Sequence, residues 1–518
     1  MEQSTTAPEW LTHQNRALEP EDETIVDPIS VENDLSQELE MGAGPFWPKP
    51  MRLEEMERRM TAPEWVTYWS RALELGEAEA SIPPLVGVHT AAGSRELEGD
   101  ARPAPTQTSV EGSIFIEVPP LAAVTESAPL EFFIAGNGED YIDLNNTLLY
   151  LCCKIVKEDG TNIARAAEVG LVNYPIAAIF SQLDVTLGDR LISQSNNCYP
   201  FRAFIESVLN FGGEMLSTQF SAGLFYKDTP GEHESTVLDG DNQGFIRRAA
   251  LTAESRKMDL LGHLHADLFF QEKLLLNGVD VKIKLMQSKD AFCLMSDDPG
   301  VHYKLQILTA SLFVKKVRVA PGVRLGHAEA LLTATAKYPV DRVSMKIFSI
   351  AAGSRISNQE NLFLGQLPKL VVVGLVDNDS FSGAYDKNPF NFKHYDINFF
   401  AIYQSGHQIP AKPFQPRFDE GNCVREYMSL VHASGKHVKD KALLINREVY
   451  ARGYTLFAFD LSPDQECGSH YSLINTGNLQ AEIRFARPLP QTVNMIVYGV
   501  FDNIIEINHR RSVLFDYM

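Results

Sequence analysis

Paired cysteines are missing from this 518-residue chain: Cys152, Cys153, Cys198, Cys293, Cys423 and Cys467 form no Cys-x-x-Cys pair. That excludes a disulfide-dense scaffold and the common zinc patterns, and four of the six sit in apolar runs, as reduced buried thiols do. Long apolar runs are missing too. None approaches the 18 residues a membrane-spanning helix needs, and no basic, apolar leader is present. The expectation is a soluble intracellular product with no membrane span. Positive charge is scarce, 46 Lys and Arg against 67 Asp and Glu, a net charge of −21. Sequence-independent nucleic-acid binding works through Lys and Arg that displace phosphate counterions, so direct nucleic-acid binding is not expected.

The charge is unevenly placed. Residues 1–110 hold 21 Asp and Glu against 8 Lys and Arg, and they are rich in Ala, Pro, Ser and Glu. Residues 1–109 read as a largely disordered acidic tail. All four tryptophans lie there, at Trp10, Trp47, Trp65 and Trp69. Thr6–Glu19 (TAPEWLTHQNRALE) returns as Thr61–Glu74 (TAPEWVTYWSRALE), with ten of fourteen positions identical. Each copy opens with T-x-x-E, a capping box, and carries its proline in the first helical turn. On a helix Trp10 shares a face with Leu18, and Trp65 and Trp69 share one with Leu73. A helix of about fourteen residues is marginal alone. Two readings fit: a duplicated docking peptide that folds on a partner through Trp10, Leu18, Trp65, Trp69 and Leu73, or a duplication in a tolerant tail.

From Val110 onward the chain is a series of short β-branched and aromatic runs punctuated by Gly, Asn and Asp turns. Expected strands include Ser113–Val118, Leu130–Ala135, Tyr141–Val156, Ile179–Leu187, Arg190–Ser193, Ala266–Leu276, Gly278–Leu285 and Tyr303–Val319. Leu183–Ile192 reads as a hairpin turning at Gly188-Asp189, and Tyr199–Phe211 switches to helical period. The order then repeats. Leu362–Leu375 supplies early strands, Asp396–Ile409 a hairpin turning at Ser405-Gly406, and Val424–His432 a helix. Ala481–Ala486 and Thr492–Asn508 close the chain. Arg425, Tyr427 and Met428 match Arg202, Phe204 and Ile205 at a constant offset of 223. At this length one core does not suffice. The fold predicted is all-β: two tandem jelly-roll sandwiches, 110–320 and 321–518, with short helices in their connections.

Chemistry is harder to find. His263-Leu264-His265 near Glu272 invites comparison with jelly-roll metal sites, because His at i and i+2 on a strand face one side. The cupin spacing is not met, since Gly262 touches His263 and Glu272 is seven residues past His265. No G-x-S-x-G elbow, phosphate-binding loop or H-E-x-x-H pattern occurs. The expectation is no enzyme, no catalytic or metal residues and no cofactor. The alternative is a cellular duplicated β-sandwich binding protein or cupin-like metalloprotein, with His263, His265 and His302 as candidate ligands.

Three stretches carry a resemblance: Phe180–Glu214 (FSQLDVTLGDRLISQSNNCYPFRAFIESVLNFGGE), Phe269–Leu285 (FFQEKLLLNGVDVKIKL) and Asn494–Tyr517 (NMIVYGVFDNIIEINHRRSVLFDY). Through them residues 110–518 resemble double jelly-roll major capsid proteins of the Maverick/Polinton and adintovirus type, including copies in animal genomes. The resemblance implies a structural protein that trimerises into pseudo-hexagonal capsomers and builds an icosahedral shell. Its partners would be itself and neighbouring capsomers, with a minor capsid or penton protein possible at the tail. Its place would be the virion capsid.

Overall fold

A computed structural model describes residues 107–515 apart from 126–127, 137, 438–441, 464–470 and 472. The tail repeats, with Trp10, Leu18, Trp65, Trp69 and Leu73, lie outside the described residues.

The first half contains β1 (Val110–Val118), β2 (Leu130–Ile134), β3 (Tyr141–Lys157), β4 (Val169–Leu171), β5 (Phe180–Leu187), β6 (Arg190–Gln194), β7 (Met258–His263), β8 (Val281–Gln287), β9 (Leu294–Ser296) and β10 (Tyr303–Val319). The second contains β11 (Ala336–Ile350), β12 (Ile356–Gln366), β13 (Leu370–Asp377), β14 (Ile397–Gln404), β15 (His407–Phe414), β16 (Leu456–Asp460), β17 (Thr476–Phe485), β18 (Val493–Ile507) and β19 (Val513–Leu514). Two antiparallel sheets form in each half: β1-β10-β3-β7 faces β2-β8-β5-β6, and β11-β18-β13-β16 faces β12-β17-β14-β15. With the β4–β9 ribbon and β19 set aside, both halves read 1-8-3-6 and 2-7-4-5, the jelly-roll order. The fold is a double jelly roll.

Alternation shapes several strands, β2, β8 and β17 among them. On β8, Val281, Ile283 and Leu285 are buried while Lys282 points to solvent; the hairpin β5–β6 turns at Gly188, whose φ of 57° a side chain would resist. The hairpin β14–β15 turns at Ser405-Gly406 with both φ angles positive. A helix follows the fifth strand of each unit: α1 (Tyr199–Asn210) after β6, and, later in the chain, Val424–Ala433 after β15. Between them lie α2 (Gln243–Thr252) in the long connection after α1, and α3 (Pro321–Thr333) joining the two jelly rolls. The Val424–Ala433 helix is α4.

β13 breaks the alternation, with all eight of its residues buried. Leu370, Val372 and Val376 join the core that fills the first jelly roll, while Val371, Val373 and Leu375 join the core inside the second. The sheet β11-β18-β13-β16 is therefore covered on both faces. Gly374 sits where a Cβ would meet the Phe392 ring at 2.5 Å.

One predicted strand is absent. Ala266–Leu276 holds a 3-10 turn at Asp267–Phe270 and no ladder. Leu268, Phe269, Leu275 and Leu276 are buried against neighbouring elements, and the only pairing among these residues is one antiparallel bridge between Leu275 and Ile142, so the apolar run mainly reflects burial.

Candidate functional site

The predicted histidine pair does not form a metal site. β7 ends at His263, and His265, beyond the strand end, is buried beside α1. Its Nδ1 lies 2.8 Å from Glu206 Oε2 and its Nε2 lies 2.9 Å from the Tyr174 hydroxyl and 3.5 Å from Ser207 Oγ. Both ring nitrogens are taken. His263 is half-buried, and burial with the neighbouring His265 lowers its pKa. His302 sits elsewhere, its ring 5.9 Å from that of Tyr385. Among the described residues no group of three or more His, Cys, Asp or Glu could hold a metal ion.

Ser207, His265 and Glu206 do form the serine–histidine–carboxylate order of a hydrolase relay. Ser207 and His265 are fully buried and Glu206 nearly so. A nucleophile with no path to a substrate has nothing to attack, so the arrangement acts as packing. Burial opposes the Glu206 charge, but Arg202 and the His265 hydrogen bond hold its carboxyl below the usual range.

That carboxylate belongs to an ionic seam between the jelly rolls. Arg202 Nη2 donates to Asp267 Oδ1 at 2.6 Å and lies 3.7 Å from Glu206 Oε1, one turn along α1. Asp267 Oδ1 also accepts the Val343 backbone N–H, at 3.2 Å, from β11 of the second jelly roll. Burial drives the Asp267 pKa up, and Arg202 only partly offsets it. Arg202 was visible in the sequence through its match with Arg425, but the two sites have diverged. Arg425 is exposed and donates to the Lys412 and Pro413 carbonyls.

A second cluster stands in the connection between α1 and β7. Arg248 on α2 reaches Asp228 Oδ1 at 2.5 Å and the Leu171 carbonyl at 2.7 Å. From the second jelly roll, Asn388 Nδ2 donates to Asp228 Oδ2 and to the His233 carbonyl, both at 3.0 Å, and the Tyr454 hydroxyl donates to the Asp228 carbonyl. Lys393 bridges Glu234 and Asp377, each at 2.8 Å. The Phe204 and Phe390 rings stack 4.5 Å apart across the same seam. Sequence reasoning missed the contacts across the seam because their partners lie 155 or more positions apart. A buried pair broken on one side leaves an uncompensated charge, so the seam fixes one arrangement of the halves.

The outer surface carries the other candidate feature. Eight strands edge the four sheets. Two are blunted: β15 by Lys412, Pro410 and Pro413, and β11 by Lys337, Pro339 and Asp341. Two others carry large exposed apolar side chains. β1 leaves Ile114 and Phe115 about 60 % exposed, and β12 leaves Ile356 57 % and Leu364 73 % exposed. Open apolar edges are pairing surfaces. The linking helix α3 adds Leu325 and Leu332, both above 70 % exposure.

No protein-family model matches the chain. An uncharacterized protein of Caenorhabditis elegans is 24 % identical over 425 residues, which cover 79 % of this chain and 99 % of that protein. Among solved structures, the chain is similar to one from the Sputnik virophage, at TM-score 0.56 and 13 % identity, covering 82 % of this chain and 92 % of that one. It is also similar to one from the PBCV-1 virus capsid, at TM-score 0.51 and 11 % identity, covering 81 % and 99 %. Both come from structures of virus particles.

Proposed function

We propose that this chain is the major capsid protein of a Maverick/Polinton or adintovirus-type element, and that it forms homotrimers which tile an icosahedral shell. The observation carrying this reading is the strand order 1-8-3-6 and 2-7-4-5 repeated in one chain. Three copies of a double jelly roll place six similar sandwiches around an axis, which gives a three-fold molecule a nearly hexagonal outline. The seam supports it by holding the two sandwiches in one arrangement. The open edges support it by supplying one apolar surface on each jelly roll, as a closed ring of head-to-tail contacts needs. The nematode relative supports a home in animal genomes.

The chain would reside in the virion capsid after a soluble stage inside the cell. No helix among the described residues is long and apolar enough to cross a membrane. The tail repeats would dock a minor capsid or penton protein through Trp10, Leu18, Trp65, Trp69 and Leu73, and the acidic surface would leave nucleic acid unbound.

Light scattering after size exclusion tests the assembly. Three chains of 57.8 kDa give about 173 kDa, and that mass or a void-volume particle is expected. A monomer that persists across salt and concentration would refute shell formation. The same measurement on Trp65→Ala/Trp69→Ala should give an unchanged mass, because the tail serves a different partner; a monomer would place those tryptophans in the trimer instead.

A further inference from the structure

Between α2 and Leu444 the surface opens into a cleft of about 200 Å³, lined by Leu216, Ser217, Phe225, Tyr226, Lys227, Gln243, Gly244, Arg247 and Leu444. Its lining holds two cations and no carboxylate, in a chain of net charge −21. Lys227 Nζ donates to the Leu444 carbonyl at 2.9 Å and lies 5.2 Å from the centre of the Tyr454 ring, which leaves capacity for a further acceptor. Arg247 is exposed, and among the described residues its guanidinium has no hydrogen-bond or ion-pair partner. Asp228, next to Lys227 in sequence, is held by Arg248 and Asn388. Phe225 and Tyr226 close the cleft with aromatic surface.

Two cations lining one cleft that holds no carboxylate favour an anion between them. The cleft of about 200 Å³ has room for a tetrahedral oxyanion. The planar guanidinium fork binds two oxygens of such a group, and a lysine adds a mobile point charge.

We infer that this cleft is a binding site for a phosphate group, held between Arg247 and Lys227. Because Lys227 also holds Leu444, a bound phosphate ties the connection after α1 in the first jelly roll to that after α4 in the second. The site closes the seam from outside and does not depend on the oligomeric state.

Calorimetry and thermal unfolding of the full chain test it, with inorganic phosphate and ribose 5-phosphate as probes against chloride at equal ionic strength. Saturable binding of phosphate with a rise in Tm is expected, and Arg247→Gln and Lys227→Met should each weaken it tenfold or more. Tighter binding of ribose 5-phosphate would assign the site to a phosphate monoester; equal binding would assign it to free phosphate. Arg247→Gln removes an exposed side chain and should leave the Tm without phosphate unchanged, which separates lost binding from lost folding. No saturable binding of either probe, or equal affinity in both variants, would overturn the assignment.

Discussion

His233 makes the seam sensitive to acid. Its ring is 1 % exposed, lies 4.7 Å from the Tyr454 ring, and has no hydrogen-bond partner at either nitrogen among the described residues. Gly453 is what admits it, since a Cβ there would stand 2.3 Å from the ring. Burial lowers its pKa to about 4. Asp228 and Glu234 pull the other way and are insufficient, while Arg248 and Lys227 add to the depression. The neutral ring is thus native, and the unfolded chain takes up a proton that the folded one refuses. Stability is intact above the ordinary pKa of 6.5, falls as the pH drops below it, and levels off below about 4. A difference of one pH unit is worth 1.36 kcal/mol, so by pH 4.5 the loss reaches about 2–3 kcal/mol. His233→Leu removes the titrating group. Urea unfolding of both proteins at pH 7.5, 5.5 and 4.5 should show the variant gaining on the parent by about 2–3 kcal/mol between the extremes. A stability difference that stays constant with pH would refute the reasoning, because the seam would then protonate without cost.

Two further outcomes follow from named groups. Arg202→Met strands Asp267 and Glu206 and should cost about 3–5 kcal/mol in urea unfolding, with part recovered by adding Asp267→Asn; a loss below about 1 kcal/mol would mean that the pair is solvated. Phe115→Glu or Leu364→Glu should leave the far-ultraviolet circular dichroism intact while the mass falls to that of a monomer, and an unchanged mass would move the interface elsewhere.

The sequence disclosed the parts whose logic is local. The strand Tyr303–Val319 was predicted to the residue, because it is rich in apolar and β-branched residues and Gly300 and Pro321 bracket it. The hairpins followed from Gly188 and Gly406, and α1 from its shift to a 3.6-residue period. β11 was missed because Pro339, Asp341 and Arg342 interrupt its apolar run, which only an edge strand tolerates. α3 was missed because it buries just Leu331 and so shows no apolar stripe of the usual kind. The seam was out of reach for a different reason. Asp267 is read by Arg202, 65 positions away, and by the backbone of Val343, 76 positions away. His265 invited a metal reading from its nearness to His263, when its partner is Glu206 on another element.

The position of β18 has a bearing on how the molecule is made. It runs between β11 and β13, pairing with both, yet it is drawn from the last 26 residues of the chain. Until it arrives, β11 and β13 stand apart across an empty slot, and the layer that backs the first jelly roll is incomplete. A chain cut before Val493 therefore lacks a middle strand of the layer. β18 acts as a keystone, joining two strands that precede it in the chain and closing the layer that they begin.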